Sequence, residues 1–472
     1  MPPVTPTMND TDRSGFIKAL SLWDVVAMNI VAIVGLRWIS RSARIGAPSV
    51  TLWILACLVF FVPLAFALVD LSRRYPEQGG IYAWVRRAFG PLHGYVCGWC
   101  MWVNNLFYFP SLLLFGAANL AVAVGGPGVA ESRLYSIVFV LVFLWLCTGI
   151  NIIGLTLGKW VQHVGAIATW IPPALLVVCG AIAFATFGSA TSFAPAALVP
   201  REDFWTTVSL WSAMCFAFSG FEIASMVGQE VRDPERTIPR GILISGAIIT
   251  AIYILSSASI LVAVPASELV ERSGIADAVD LVAGRLGLAG LGAFTGLLLF
   301  VGSIGGTNSW VAGAARVPFA AGVDAMLPAA FARLHPKYRT PHVALVVQGV
   351  AATMVFLVSV FIPVAGGAAT IQEAYDIMVN LTILMYFVPY LYLFAAYLRL
   401  RNVDASKPLR RASSAWLLAG FGFAATFISI VLLFVPPAGT VNVLNYEANL
   451  AGQSFLLLAV GLVFYLMARP RR

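Results

Sequence analysis

Twelve stretches of about 20 mostly apolar residues, each long enough to cross a bilayer, alternate with short polar connections along the chain. They fall at roughly 22–45, 48–71, 91–124, 134–153, 160–187, 204–229, 239–264, 288–315, 342–363, 374–398, 414–436 and 450–468. The pattern predicts an all-α polytopic membrane protein with twelve transmembrane helices. Two stretches are interrupted near mid-membrane by glycine beside a charge, at Val34-Gly35-Leu36-Arg37 and at Ser219-Gly220-Phe221-Glu222. Glycine weakens a helix by about 1 kcal/mol relative to alanine, and a charge at mid-bilayer costs at least about 2.5 kcal/mol. Such breaks persist where they line something, and unwound backbone near the midplane is where secondary transporters hold their substrates.

The breaks lie in the first helix of each of two five-helix groups, as an inverted repeat requires. The expected layout is a tail at 1–20, a first repeat over 21–187 (helices 1–5), a second over 204–401 (helices 6–10), two peripheral helices within 413–468, and a tail at 469–472.

Composition agrees: 60% of the 472 residues are hydrophobic and 11% charged, with a mean hydropathy of +0.89, which excludes an ordinary soluble domain. Residues 1–18 are polar and do not read as a signal peptide. With both termini inside, 22 of the 29 lysines and arginines fall on the cytoplasmic side, so the net charge of +8 is mostly topological and no nucleic-acid partner is expected. The remaining seven include Arg37, Arg41 and Arg44, spaced i, i+4, i+7 on one face of the first helix. The acidic stretch 265–287 reads either as a cap on the outer vestibule or as a solvated loop. The six cysteines read as small core residues. No metal-site spacing, phosphate loop or nucleophile motif is present; no cofactor, metal or enzymatic role is expected.

Three ordered motifs then narrow the reading. They are Pro76-x-x-Gly79-Gly80-Ile81-Tyr82 with Gly90; Phe218-Ser219-Gly220-Phe221-Glu222 followed by Glu230-Val231-Arg232-Asp233-Pro234-Glu235-Arg236-Thr237-Ile238-Pro239; and Gly302-Ser303-Ile304-Gly305-Gly306 leading to Leu327-Pro328-x-x-Phe331-Ala332. Over nearly its whole length the chain resembles the amino acid/polyamine/organocation transporter family, and its sixth and eighth spans resemble the bacterial arginine/agmatine antiporter branch. The resemblance implies a leucine-transporter-type fold of five plus five helices in inverted repeat, working by alternating access in the plasma membrane. It matches Phe216 to an aromatic gate, Glu222 to a carboxylate just after the sixth-helix break, and Asn105 and Tyr108 to substrate-facing positions of the third helix.

The sequence departs from that family at three places. Only Gly35 remains of the usual Gly-Ser/Ala-Gly break. Thr307 stands where the arginine/agmatine branch carries a stacking tryptophan, so arginine is not the expected substrate. The fifth helix reads Trp170-Ile171-Pro172-Pro173 where some relatives place a lysine that replaces sodium, which leaves the coupling ion open.

The expected substrate contacts are therefore Val34, Gly35, Leu36, Arg37, Asn105, Tyr108, Phe216, Ser219, Gly220, Ser303 and Thr307, with Phe216, Glu222 and His163 in gating or proton coupling. Arg37 either meets a substrate carboxylate or pairs internally, for instance with Glu222; Glu222 either carries a coupling proton or forms that pair. The expected partners are a small amino acid or amine and the lipid bilayer, with a homodimer left open. The expected function is secondary transport of a zwitterionic or anionic amino acid or related compound by proton symport or exchange. The alternatives are a polyamine or other cationic amine transporter and a non-transporting membrane subunit or sensor.

Overall fold

The computed structural model describes residues 20–75, 80–124, 126–153, 155–200, 210–223, 231–269, 272–318, 327–338, 340–361, 370–401, 412–435 and 443–468. Both expected tails, apart from Leu20, lie outside the described residues, as do parts of the sixth span. Among the described residues the chain is helical, with one isolated β-bridge between Leu20 and Val231. Among the described residues ten helices are long and apolar enough to cross a membrane, and a bent pair counted as one span makes an eleventh. The sixth span is described as one short helix next to its break.

The bent pair is α1 (Leu22–Ile33) and α2 (Leu36–Ala43), which meet at 48°. A capping box starts α1: the Ser21 amide donates to Asp24 Oδ2 at 2.8 Å, and the Asp24 amide to Ser21 Oγ at 3.5 Å. Next comes α3 (Pro48–Arg74), which widens to a π-helix over Cys57–Phe61. Pro63, two residues beyond it, has no N–H to give the helix ladder. The wide turn puts Phe60 and Phe61 both inside, where Phe61 meets Phe218 and Phe221 with ring centroids at 5.3 and 4.8 Å.

The amphipathic α4 (Ile81–Phe89) buries Ile81, Trp84, Val85 and Ala88 and leaves Arg86 and Arg87 exposed. Then follow α5 (Pro91–Ala123), α6 (Arg133–Ile153), α7 (Leu155–Phe187), the short α8 (Trp211–Ala217), α9 (Pro234–Ala263), α10 (Gly274–Arg285), α11 (Leu291–Ala314), α12 (His342–Phe361), α13 (Ile371–Arg401), α14 (Ala412–Leu432) and α15 (Val443–Ala468).

Burial ranks these helices. The most apolar windows of α5 and α13 are 78% and 83% buried, against 17% for α15, so the first two form the centre and the last a rim. Small residues set the closest crossings: α7 and α11 touch backbone to backbone at Gly165 and Gly305.

Within the acidic stretch, residues Gly274–Arg285 form the packed α10. It buries Ile275, Val279 and Val282, and Gly274 abuts Ser40 of α2.

A methyl group at position 305 would stand 2.5 Å from Gly165 Cα, a backbone atom that cannot turn aside. Gly305→Ala is therefore expected to cost about 1–3 kcal/mol of stability. An unchanged midpoint in detergent thermal unfolding would contradict this contact.

Candidate functional site

The two breaks are held open by different means. Val34 and Gly35 are extended, with φ of −63° and −97°, so Gly35 does not need glycine's backbone freedom. It needs the missing side chain, because a Cβ there would lie 2.3 Å from Trp38 Nε1. Gly220 has φ +112°, a conformation that other residues rarely adopt, and its Cα faces Ile33 at the end of α1.

Unwinding frees backbone groups that lipid cannot satisfy, and two tyrosines take them up. Tyr253 Oη of α9 accepts from the Gly35 amide at 3.1 Å and lies 2.9 Å from Ile33 O and 3.0 Å from Ala217 O. One hydroxyl proton therefore serves two carbonyls, one at each break. Tyr390 Oη of α13 accepts from the Gly220 amide at 3.0 Å and donates to Glu222 Oε2 at 2.9 Å. Tyr386 donates to Glu222 Oε1. Glu222 is fully buried, and these two hydroxyls bond its carboxylate oxygens.

Between the breaks lies a small cavity of about 20 Å³. Trp38, Tyr108, Phe216, Trp310 and Tyr386 give it aromatic walls; Ala32 and Ile33 close one side, and Asn104, Asn105 and Ser219 supply its polar groups. Trp38 meets Phe216 edge-on at 5.3 Å, and Phe216 meets Tyr386 at 5.4 Å. Both asparagines donate Nδ2 to Met101 O, at 2.6 and 2.8 Å, which fixes their amide orientation. Asn105 Oδ1 and Ser219 Oγ are buried without a partner among the described residues. Both can accept a hydrogen bond.

Arg37 lies one ring beyond this cavity. Its guanidinium is 4.4 Å from the Trp38 ring centroid and 4.7 Å from that of Tyr108, and Nη1 donates to Ser111 Oγ at 2.8 Å. Pro110 lies inside α5 there, and Ser111 Oγ in turn donates to Tyr108 O at 2.9 Å. Arg37 is 1% exposed; Nε and Nη2 have no partner and no acid pairs with it among the described residues. A second polar layer lies further toward α10. Arg41 pairs with Asp376 at 3.4 Å, Gln372 Nε2 donates to Asp376 at 3.2 Å, and Arg272 bonds Gln372 and Glu131.

The structure thus brings Asn105, Tyr108, Phe216 and Ser219 to the cavity, with Gly35, Gly220, Val34, Leu36 and Arg37 around it. Others stand apart. Ser303 Oγ bonds its own helix at Leu299 O (2.7 Å) and packs on Gly116. Thr307 is fully buried, and its hydroxyl has no partner among the described residues. His163 is exposed beside Trp160, Val164 and Ile167 on the outer surface of α7. The Arg37–Glu222 pair does not form, because each side chain has partners in a different part of the site. Arg41 is buried on Asp376 and Asn380 while Arg44 is exposed, so the three arginines of that face stand in different surroundings.

Sequence reasoning missed Trp38, Trp310 and Tyr386. Trp310 follows Thr307 by one helical turn and so falls near the same face, a signal that was present but unused.

The amino acid permease family model matches residues 20–464. The chain belongs to this family. Over 456 residues, 95% of the chain and 96% of its relative, the permease is 29% identical to an uncharacterised transporter of Legionella pneumophila. It is 24% identical to a probable agmatine/putrescine antiporter of Lactococcus lactis (83% of this chain, 81% of the relative). It is 26% identical to a serine/threonine exchanger of Bacillus subtilis (74% and 78%). The permease is a multi-pass membrane protein and a secondary transporter of a small molecule.

Replacing Tyr253 by Phe keeps the ring stacked on Trp53, whose centroid is 4.5 Å away, but leaves the Gly35 amide without its acceptor. The expected loss is about 1–3 kcal/mol, read as a lower unfolding midpoint in detergent. An unchanged midpoint would show that the hydroxyl does not carry the break.

Proposed function

We propose that this permease carries a zwitterionic or anionic amino acid, or a closely related carboxylate, and that Arg37 receives the carboxylate. One observation carries the reading: a guanidinium, charged in any protein environment, is buried with Nε and Nη2 unbonded and no anion beside it among the described residues. Burying an unpaired charge is expensive, and a substrate carboxylate would complete it. The α2 helix also begins at Leu36; its Trp38 amide is taken by Gly35 O at 2.9 Å, which leaves the Leu36 and Arg37 amides as first-turn donors. Asn105 Oδ1 and Ser219 Oγ would then take the ammonium inside the aromatic walls. This chemistry fits the substrates named for the serine/threonine exchanger better than the diamine named for the agmatine/putrescine antiporter, since a diamine brings no anion to Arg37. The aromatic walls and the open acceptors Asn105 Oδ1 and Ser219 Oγ support a cationic amine as the second reading.

The cycle follows as alternating access within twelve helices, five plus five in inverted repeat with two peripheral ones. The bias of basic residues toward the α1 end supports cytoplasmic termini in a plasma membrane. Glu222, a buried acid with neutral donors on both oxygens, would carry the coupling proton in symport, or stay protonated through substrate exchange.

Liposomes loaded with a panel of amino acids and diamines test the reading. A carboxylate substrate should exchange, and Arg37→Gln should raise its KM by at least about ten-fold, as loss of a charged hydrogen bond predicts. Diamine exchange with no amino acid exchange would favour the second reading. Glu222→Gln should abolish accumulation driven by a pH gradient and leave exchange running; gradient-driven uptake by that variant would remove Glu222 from coupling.

A further inference from the structure

The Arg37 guanidinium is held in place along part of its rim and left open along the rest. The Trp38 and Tyr108 rings stand against it, and Nη1 donates to Ser111 Oγ, a hydroxyl whose own proton is taken by Tyr108 O. The other two nitrogens, Nε and Nη2, are buried without a partner among the described residues. In a planar guanidinium these two share one edge, where their N–H groups point the same way. What remains open is therefore a fork, and not two donors facing apart.

Charge around the fork is unbalanced as well. Arg41, one turn further along α2, is matched by Asp376, and Arg272 beyond it by Glu131. Glu222 is bonded by two phenols elsewhere in the site. A hydroxyl and two rings carry no net charge, so they offset that of Arg37 only in part. A buried cation in such surroundings is completed by an anion. The two flanking rings also line the cavity, which puts the fork one ring's width from a space of about 20 Å³, the size of a small ion or a water.

We propose that the Arg37 fork is a site for a small monovalent inorganic anion such as chloride, which occupies it between substrates and is displaced by the substrate carboxylate. Two parallel N–H groups receive either the two oxygens of a carboxylate or one halide between them. Exchange of one anion for the other keeps the guanidinium from passing through the cycle as a bare buried charge, and it makes chloride a competitor of the substrate. The competition rests on the carboxylate reading of Arg37; the halide site rests on the fork, its burial and the missing acid.

Thermal unfolding of the full-length protein in detergent tests the site, with chloride replaced stepwise by the bulkier isethionate at constant ionic strength. A ligand bound by the folded state alone raises the midpoint as its concentration passes its dissociation constant. The wild-type midpoint should climb with chloride, and Arg37→Gln should lose that climb. The same response in both proteins, or none in the wild type, overturns the proposal. If Arg37→Gln does not fold, bromide quenching of tryptophan fluorescence reads the site in the wild type. Trp38 is 3% exposed with its ring 4.4 Å from the guanidinium, so an ion on the fork should give a saturable quench that chloride reverses; a linear quench indifferent to chloride overturns the proposal. In liposomes, chloride at its dissociation constant should raise the apparent KM of a carboxylate substrate about two-fold and leave kcat unchanged. The two readings fail separately: chloride binding without carboxylate exchange sinks the substrate reading and leaves the halide site standing, whereas exchange with no chloride response sinks the halide site alone.

Discussion

Two tyrosine hydroxyls make this site possible. A helix opened inside a membrane exposes amides and carbonyls that lipid cannot bond, at several kcal/mol for each group left bare. Tyr253 and Tyr390 reach in from neighbouring helices and bond the Gly35 and Gly220 amides. Each then does a second thing: Tyr253 also touches a carbonyl of the other broken helix, and Tyr390 also holds Glu222. The breaks are thereby joined to the helices behind them, and the cavity can lie between them without loose backbone in its walls.

Charge in the site is divided, not paired. Arg37 sits between two rings on the α2 side, and Glu222 sits under two phenols toward α13. The aromatic contacts of Trp38, Phe216 and Tyr386 run between these regions. Separation keeps both groups available. A direct ion pair would satisfy each with the other and leave nothing for a ligand or a proton to complete.

Much of the fold was legible in the sequence because the membrane asks one simple thing of each segment: about 20 apolar residues. The locations of both breaks were legible too, since glycine and charge are costly there for reasons independent of the partners. Their workings were not. Gly35 marked a break in the first helix, but it is in an ordinary extended conformation and is required by the close approach of the Trp38 ring. Ser303 and His163 looked like inward-facing polar groups; one bonds its own helix against Gly116 and the other faces outward from α7. In helices that are apolar nearly all round, periodicity does not say which face is inside.

By itself the sequence determined the membrane-spanning character, the ordered motifs and the presence of a buried arginine and a buried glutamate, because each depends on local composition against a fixed apolar solvent. Only the tertiary structure decided that the two charges stay apart, that tyrosines from α9 and α13 carry the opened backbone, and that Trp310 walls the cavity one turn beyond Thr307. Those outcomes depend on the rotation and depth at which separate helices pack. Such packing is fixed by contacts between residues far apart in the chain, and no local pattern encodes it.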